Sequence, residues 1–513
     1  MELELKKTSL NTYEVNGEIL LSQEETAETI VPDYCPDIAR IIATEGKLHI
    51  HSRELREGKA NISGNVRVTV LYTPDEEGGI RTLEFAIPFH AEGEARALSG
   101  SQYLLANAET ELLETRMLNP RKIFTHCKLL VRVTGYQKKP LCFSADIQEG
   151  GEKLAVEKRM ELQCAILLTN ITEKDYTFTE EINLSPGREG AVELLSSQVS
   201  GTVTETKLVG NKLIFKGLFL ACLLYRSRNG RCASVTAELP FSQIMEVEGA
   251  AEGAVPSVQL QVTGTDFQIN GDDPEGRQIA VTFYFRATAL LREERELTLL
   301  NDLYSTAYEV AYEAMPLSLV SFYDTLSRRQ TLREVLEIGV VADSILAIHA
   351  SCGSVSVSQE KANVTLRTSV NVRVMYLDEG GVPLVAERSI DASCVMEVPE
   401  HCTVTAEAVC GEEVQGSIGD RGIEVRFPVD FQVEATSKTK KISISSAKLD
   451  LEKPKDLAGT PSLVLRCLGK QEGIWDLAKQ YNTTIAAILA ANQLETEGEI
   501  SREKLLLIPR KRA

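Results

Sequence analysis

Along most of the chain apolar and polar side chains alternate one for one, the spacing that gives a β-strand one buried and one wet face. The clearest run is Asn65 to Tyr72, where Val66, Val68, Val70 and Tyr72 alternate with Arg67 and Thr69. A turn over Thr73 to Gly79 follows, then a second strand from Ile80 to Phe85. The pattern recurs twice: Leu218 to Tyr225 turns at Ser227 to Arg231, and Val370 to Tyr376 turns at Asp378 to Gly381. Asn-Gly and Gly-Gly pairs in these turns supply the positive φ that a tight hairpin requires. Tyr72, Tyr225 and Tyr376 stand 153 and 151 residues apart, a spacing of one domain each. The second copy is apolar on both faces, as a central or covered strand is.

The same neighbours recur around each hairpin. Asp37 to Ile42, Ala191 to Leu195 and Leu332 to Leu336 carry apolar residues at helical spacing, which predicts one short helix per unit. An alternating strand closes each unit, at Lys128–Val133, Gln278–Ala287 and Gly422–Val433. Glycine and charge clusters near 148–152 and 292–296 mark boundaries. The fold class is therefore mainly β, with three tandem antiparallel β-rich domains over residues 1–150, 151–300 and 301–445. Sandwich and barrel both fit the alternation.

The pattern changes beyond Ser445. Residues 446–462 are polar and contain Pro454 and Pro461, as a linker does. Residues 463–510 predict a small α+β module in the order βααβ. Leu463 to Leu465 is β-compatible, and Gly473 opens a helix through Ile474, Trp475, Leu477, Ala478 and Tyr481. Asn482 to Thr484 ends that helix and caps a second one carrying Ile485, Ile488, Leu489 and Asn492. Lys504 to Pro509 is the closing strand. The spacing of Trp475 with Ala478 and Tyr481 puts its ring in the module's core.

Charge sharpens this division. The 513 residues carry a net charge of −19, yet residues 463–513 hold 8 basic and 6 acidic side chains, which leaves −21 on the rest. Such acidity argues against nucleic acid and anionic lipid as partners. The longest apolar run, Leu218 to Tyr225, is too short to span a bilayer. Met1 to Lys7 has no apolar leader region, so the expectation is a protein that stays where it is made. The eleven cysteines include no C-x-x-C pair, and Cys394, Cys402 and Cys410 fall at intervals of eight, which matches no zinc pattern. Reduced, mostly buried thiols are expected. His49 and His51 share a strand face without a third ligand. No phosphate-binding G-x-x-x-x-G-K-[ST], H-E-x-x-H or G-x-S-x-G motif is present. Acidic pairs such as Glu24-Glu25 and Glu293-Glu294 are what this composition produces. The expectation is a protein that is not an enzyme, with no cofactor and no metal.

The tail resembles a LysM domain. Ile474 to Tyr481 is similar to that family's Trp-x-Ile-Ala-x-x-Tyr helix. Ile488 to Asn492 is similar to its Leu-x-x-x-Asn helix end, and Leu505 to Pro509 to its Leu-x-Ile-Pro strand. LysM domains bind N-acetylglucosamine polymers such as peptidoglycan in a groove between the first loop and the segment after the second helix. Carried to this chain, the resemblance implies a groove of Gln471, Glu472, Gly473 and Ile474 facing Asn492, Gln493 and Leu494. Gln471-Glu472-Gly473 stand where Gly-Asp-Thr is typical, which removes a hydroxyl and displaces the carboxylate. The front repeats resemble SPOCS domains of spore-coat-associated proteins, on Asn119-Pro120-Arg121-Lys122-Ile123 and on Val31 to Ile38. Such repeats followed by one LysM domain are the arrangement of a spore coat morphogenetic family. That resemblance implies a scaffold in the mother cell cytoplasm, at the forespore surface. Its LysM domain would dock a coat morphogenetic ATPase. The alternative it implies is a cell-wall protein that binds peptidoglycan.

Overall fold

A computed structural model describes the chain except residues 76–78, 149–153, 252, 272, 412, 421, 456–458, 460, 468–472, 497–504 and 511–513. The first domain comprises β1 (Leu5–Ile30), β2 (Ile38–Arg56), β3 (Lys59–Pro74), β4 (Arg81–Glu94), β5 (Tyr103–Asn119) and β6 (Lys122–Ile147). The second repeats this as β7 (Val156–Asn183), β8 (Ala191–Val209), β9 (Lys212–Ser227), β10 (Cys232–Glu246), β11 (Val255–Ile269) and β12 (Gln278–Ser305). The third has β13 (Tyr308–Leu336), β14 (Ala342–Cys352), β15 (Ser356–Glu360), β16 (Asn363–Asp378) and β17 (Pro383–Glu397). It ends with β18 (Cys402–Cys410), β19 (Gln415–Gly419) and β20 (Gly422–Pro454). The tail is β21 (Leu463–Arg466), α1 (Ile474–Gln480), α2 (Ile485–Ala491) and β22 (Leu506–Pro509). This is the mainly β architecture with a small βααβ end that the alternation predicts.

Each domain is a sandwich of two antiparallel sheets. One is the hairpin-linked meander β2-β3-β4, β8-β9-β10 or β14-β16-β17, with β15 also on β16. The other pairs the first and last strands over almost their whole length, from Leu5 with Ile147 to Ile30 with Lys122 in the first domain. β5, β11 or β18 completes it, with β19 also on β20. Inward residues of both sheets form the core. In the first domain Val66, Val68 and Val70 meet Leu129, Val131 and Val133. In the second the core is aromatic, with Phe219 stacked on Phe283 at 4.6 Å. Tyr72 and Tyr225 are fully buried and donate their hydroxyls to Pro36 O and Glu189 O, which ties each hairpin to the loop entering its own sheet.

The three short helices expected from spacing are strands. In the first stretch Ile38 to Ile42, just after Asp37, opens β2, while Ala191 to Leu195 opens β8 and Leu332 to Leu336 ends β13. The reason is visible in the ladders. β2 shifts register at Ile38/Arg40 and Ile41/Ala43, and β8 at Ala191/Glu193 and Leu194/Ser196. Each bulge adds a residue, so inward positions fall three apart and imitate a helical period. The third domain has the same pair of shifts in β14, at Ala342/Ser344 and Ile345/Ala347. Its counterpart to the first two stretches is therefore Ala342 to Ile345. The linker expected at 446–462 also starts later. β20 continues to Pro454 because Ile444, Ala447 and Leu449 point into an apolar cluster with Leu3, Leu300 and Leu303.

The bulges also join the domains. At the second bulge of each strand Ile42, Leu195 and Leu346 turn away from their own cores. They meet Leu71, Leu224 and Met375 in one buried cluster. These are equivalent residues of β2/β3, β8/β9 and β14/β16, so the three domains surround a pseudo-threefold axis. The outer ends of the long strands continue as three ribbons. Phe143, Leu167, Leu299 and Leu319 fill the space between these ribbons, and Ser144 N donates to the Ser443 hydroxyl at 2.9 Å across two of them. The tail sits at the end of this stem.

Candidate functional site

The C-terminal module is built from short elements. β21 and β22 pair antiparallel, Leu463 with Pro509 through Arg466 with Leu506. Gly473 N donates to Asp476 Oδ2 at 2.9 Å at the start of α1. The Thr484 hydroxyl caps α2 by accepting from Ala487 N at 3.1 Å. Ile474, Leu477, Ala478, Ile488, Leu506 and Ile508 form the core. Asn492 ends α2 and ties it to β22. Its Nδ2 donates to Ile488 O and Leu507 O, both at 2.7 Å, and its Oδ1 accepts from Leu507 N at 2.8 Å.

The module's core continues into the stem. Tyr304, near the end of β12, packs its ring edge-on against Trp475 at 5.0 Å and donates its hydroxyl to Thr483 O at 2.7 Å. Asp302 is the polar centre. Its carboxylate accepts from Trp475 Nε1 at 2.7 Å, Lys479 Nζ at 2.6 Å and Tyr312 OH at 2.8 Å. Burial pushes the Asp302 carboxyl up, but the bonds from Lys479, Trp475 and Tyr312 outweigh it and hold the group below the usual carboxylate range. Burial pulls the Lys479 amine down, and Asp302 outweighs that to leave it raised. Lys455 completes the contact, donating to Ser305 O at 2.9 Å and Asn482 Oδ1 at 2.6 Å.

Of the residues the sequence nominates for the groove, Gln471 and Glu472 lie outside the described residues. Gly473 is exposed at the head of α1, and Gln493 is exposed with φ +56° after α2. Leu494 is half-buried against the module's core, and Ile474 is buried inside it. Asn492 spends its amide within the module. Trp475 is 7% exposed, in the core as its spacing predicts, and its nitrogen faces the second domain. Asp302, Tyr304 and Tyr312 escape sequence reasoning because they lie more than 160 residues from their partners in the module. The one local sign is the register shift between Leu300 and Asp302 in β12.

Two further places gather functional groups. In the first domain Arg121 Nη1 donates to Cys35 O at 2.7 Å and Asp37 Oδ1 at 3.0 Å, and Nη2 to Val31 O and Asp33 Oδ1, both at 3.1 Å. This clamp joins the two segments nominated separately in the sequence and holds Tyr34 at a loop tip, 87% exposed. On the pseudo-threefold axis all three domains line a cavity of about 630 Å³, with Glu45, Lys47, Gln198, His349 and Arg373 among its walls. Glu45 accepts from the Ser196 hydroxyl at 2.5 Å, and Lys47 donates to the Ser197 hydroxyl at 2.9 Å. Among the described residues no three His, Cys, Asp or Glu side chains gather as metal ligands, and no helix is long and apolar enough to cross a membrane.

Comparison with known families matches residues 37–133 and 191–270 to the family described as SipL, SPOCS domain. The two segments begin at equivalent places, beside β2 and at the first residue of β8. No curated protein matches the chain.

Proposed function

From a chain whose residues 37–133 and 191–270 match the family described as SipL, SPOCS domain, we propose a non-enzymatic scaffold of spore coat assembly. In this reading it works in the mother cell cytoplasm, at the forespore surface. Its C-terminal LysM-like module docks a coat morphogenetic ATPase there. The observation that carries the reading is the SPOCS match to two domains of one pseudo-threefold body, whose stem holds the module through Asp302 and Tyr304. A scaffold needs its binding head held rigidly relative to its body, and a desolvated, charge-assisted contact does that.

Gly473 and Gln493 are the surface positions at which to test the head. A Cβ at Gly473 meets only ordinary contacts, and both positions are exposed, so Gly473→Lys and Gln493→Lys leave the fold intact. The expected outcome is at least a tenfold loss of ATPase capture by the double variant, with unchanged circular dichroism. Undiminished capture would remove the module from the contact.

A further inference from the structure

The third domain departs from its two siblings along one edge. In the first domain β2 and β5 run unbroken for 19 and 17 residues, and in the second β8 and β11 run for 19 and 15. In the third both equivalents break. β14 ends at Cys352 and resumes as β15 at Ser356, while β18 ends at Cys410 and resumes as β19 at Gln415. β14 belongs to one sheet and β18 to the other, so the breaks face each other across the edge of the sandwich. A cysteine stands at each, and their Sγ atoms are 3.0 Å apart. Both are half-buried and free. The residues after them are anchored: Gly353 N donates to Ser369 O at 2.8 Å and Gly411 N to Pro428 O at 3.0 Å. At the level of Cys410, which pairs with Val429, the siblings hold Thr110 and Val262. The pair belongs to this domain alone.

We propose that Cys352 and Cys410 are a disulfide site that staples the two sheets of the third domain, closed by exchange with a low-molecular-weight disulfide. The Cys352 thiolate attacks one sulfur of that disulfide, which expels one small thiolate and leaves a mixed disulfide on Cys352. Cys410 loses its proton to solvent and attacks the Cys352 sulfur, which expels the second thiolate. Two protein thiols are oxidised and one small disulfide is reduced to two thiols, which take up the two protons. The order of attack follows from the thiol–thiol hydrogen bond: it holds Cys352 below the usual thiol range and Cys410 above it. Closure draws the sulfurs together to about 2.05 Å, roughly 1 Å of movement, at a place where two strands already part.

The test treats the folded full chain with oxidised glutathione, blocks remaining thiols with iodoacetamide and maps peptides by mass spectrometry without reduction. The expected result is one cross-linked peptide pair containing Cys352 and Cys410. A dithiothreitol-reversible rise in Tm of about 5–10 °C should accompany it. Cys410→Ser should stop at the mixed disulfide, with one glutathione on Cys352, and neither Cys410→Ser nor Cys352→Ser should give the cross-linked pair. Both cysteines alkylated as free thiols in the oxidised wild type, or either one cross-linked to a different cysteine, would overturn the site.

Discussion

At the scale of single residues the molecule turns on Asp302. One carboxylate takes donors from α1 and β13, and the Tyr304 ring two positions on covers Trp475. Replacing Asp302 by Ala leaves the indole N–H and the Lys479 amine facing a half-buried surface, at a cost of about 1–3 kcal/mol. Trp475 is the single tryptophan, so its emission reports this contact alone. Asp302→Ala should shift the emission to the red and raise its accessibility to acrylamide, while the β body keeps its circular dichroism. The native pKa of Asp302 is depressed, so its contribution is complete above the unfolded value near pH 4 and is lost as pH falls through the lower native value. Emission followed from pH 6 downward should move red below about pH 4 in the wild type, and Asp302→Asn should lack that step. The burial of Trp475 was legible from helical spacing. Its hydrogen-bond partner was not, because a contact across 173 residues leaves no periodicity.

Elements show how a period can mislead. The hairpins of the three units were legible because alternation there is uninterrupted, and their tyrosines fixed the repeat length. The first residues of β2 and β8 imitate short helices because two bulges in close succession convert a period of two into steps of three. An inward Ile38 and Ile41, or Ala191 and Leu194, looks the same in either geometry until the ladder partner is known. β20 was cut short for a related cause: its outer face is Ser and Lys, and the inward Ile444, Ala447 and Leu449 are diluted among them. The loop between β1 and β2 depends on a single side chain from the turn before β6. Arg121→Ala removes four hydrogen bonds, two of them to carboxylates, and should lower the first domain's stability by about 1–3 kcal/mol. Urea unfolding reads this as a lower midpoint at unchanged slope, and amide exchange at residues 31–38 should quicken. Arg121→Lys should recover only part of the loss, since a point ammonium cannot reach two carbonyls and two carboxylates at once.

As a whole molecule the chain repeats one sandwich three times around an axis. Leu71, Leu224 and Met375 close that axis, the ribbons extend it as a stem, and the stem's end holds the module. Fold class and the order of the tail were legible from pattern. The pseudo-threefold closure was not, because the residues that make it sit at bulges or directly opposite them and serve no core of their own domain. We propose that this body presents its C-terminal module to a protein and not to a glycan. The most direct measurement incubates the full chain with purified peptidoglycan, with and without the coat morphogenetic ATPase, and separates bound from free by sedimentation. The account predicts that the chain stays in solution with peptidoglycan alone and is retained by the immobilised ATPase in a parallel binding step. Saturable pelleting with peptidoglycan, together with no retention by the ATPase, would contradict it.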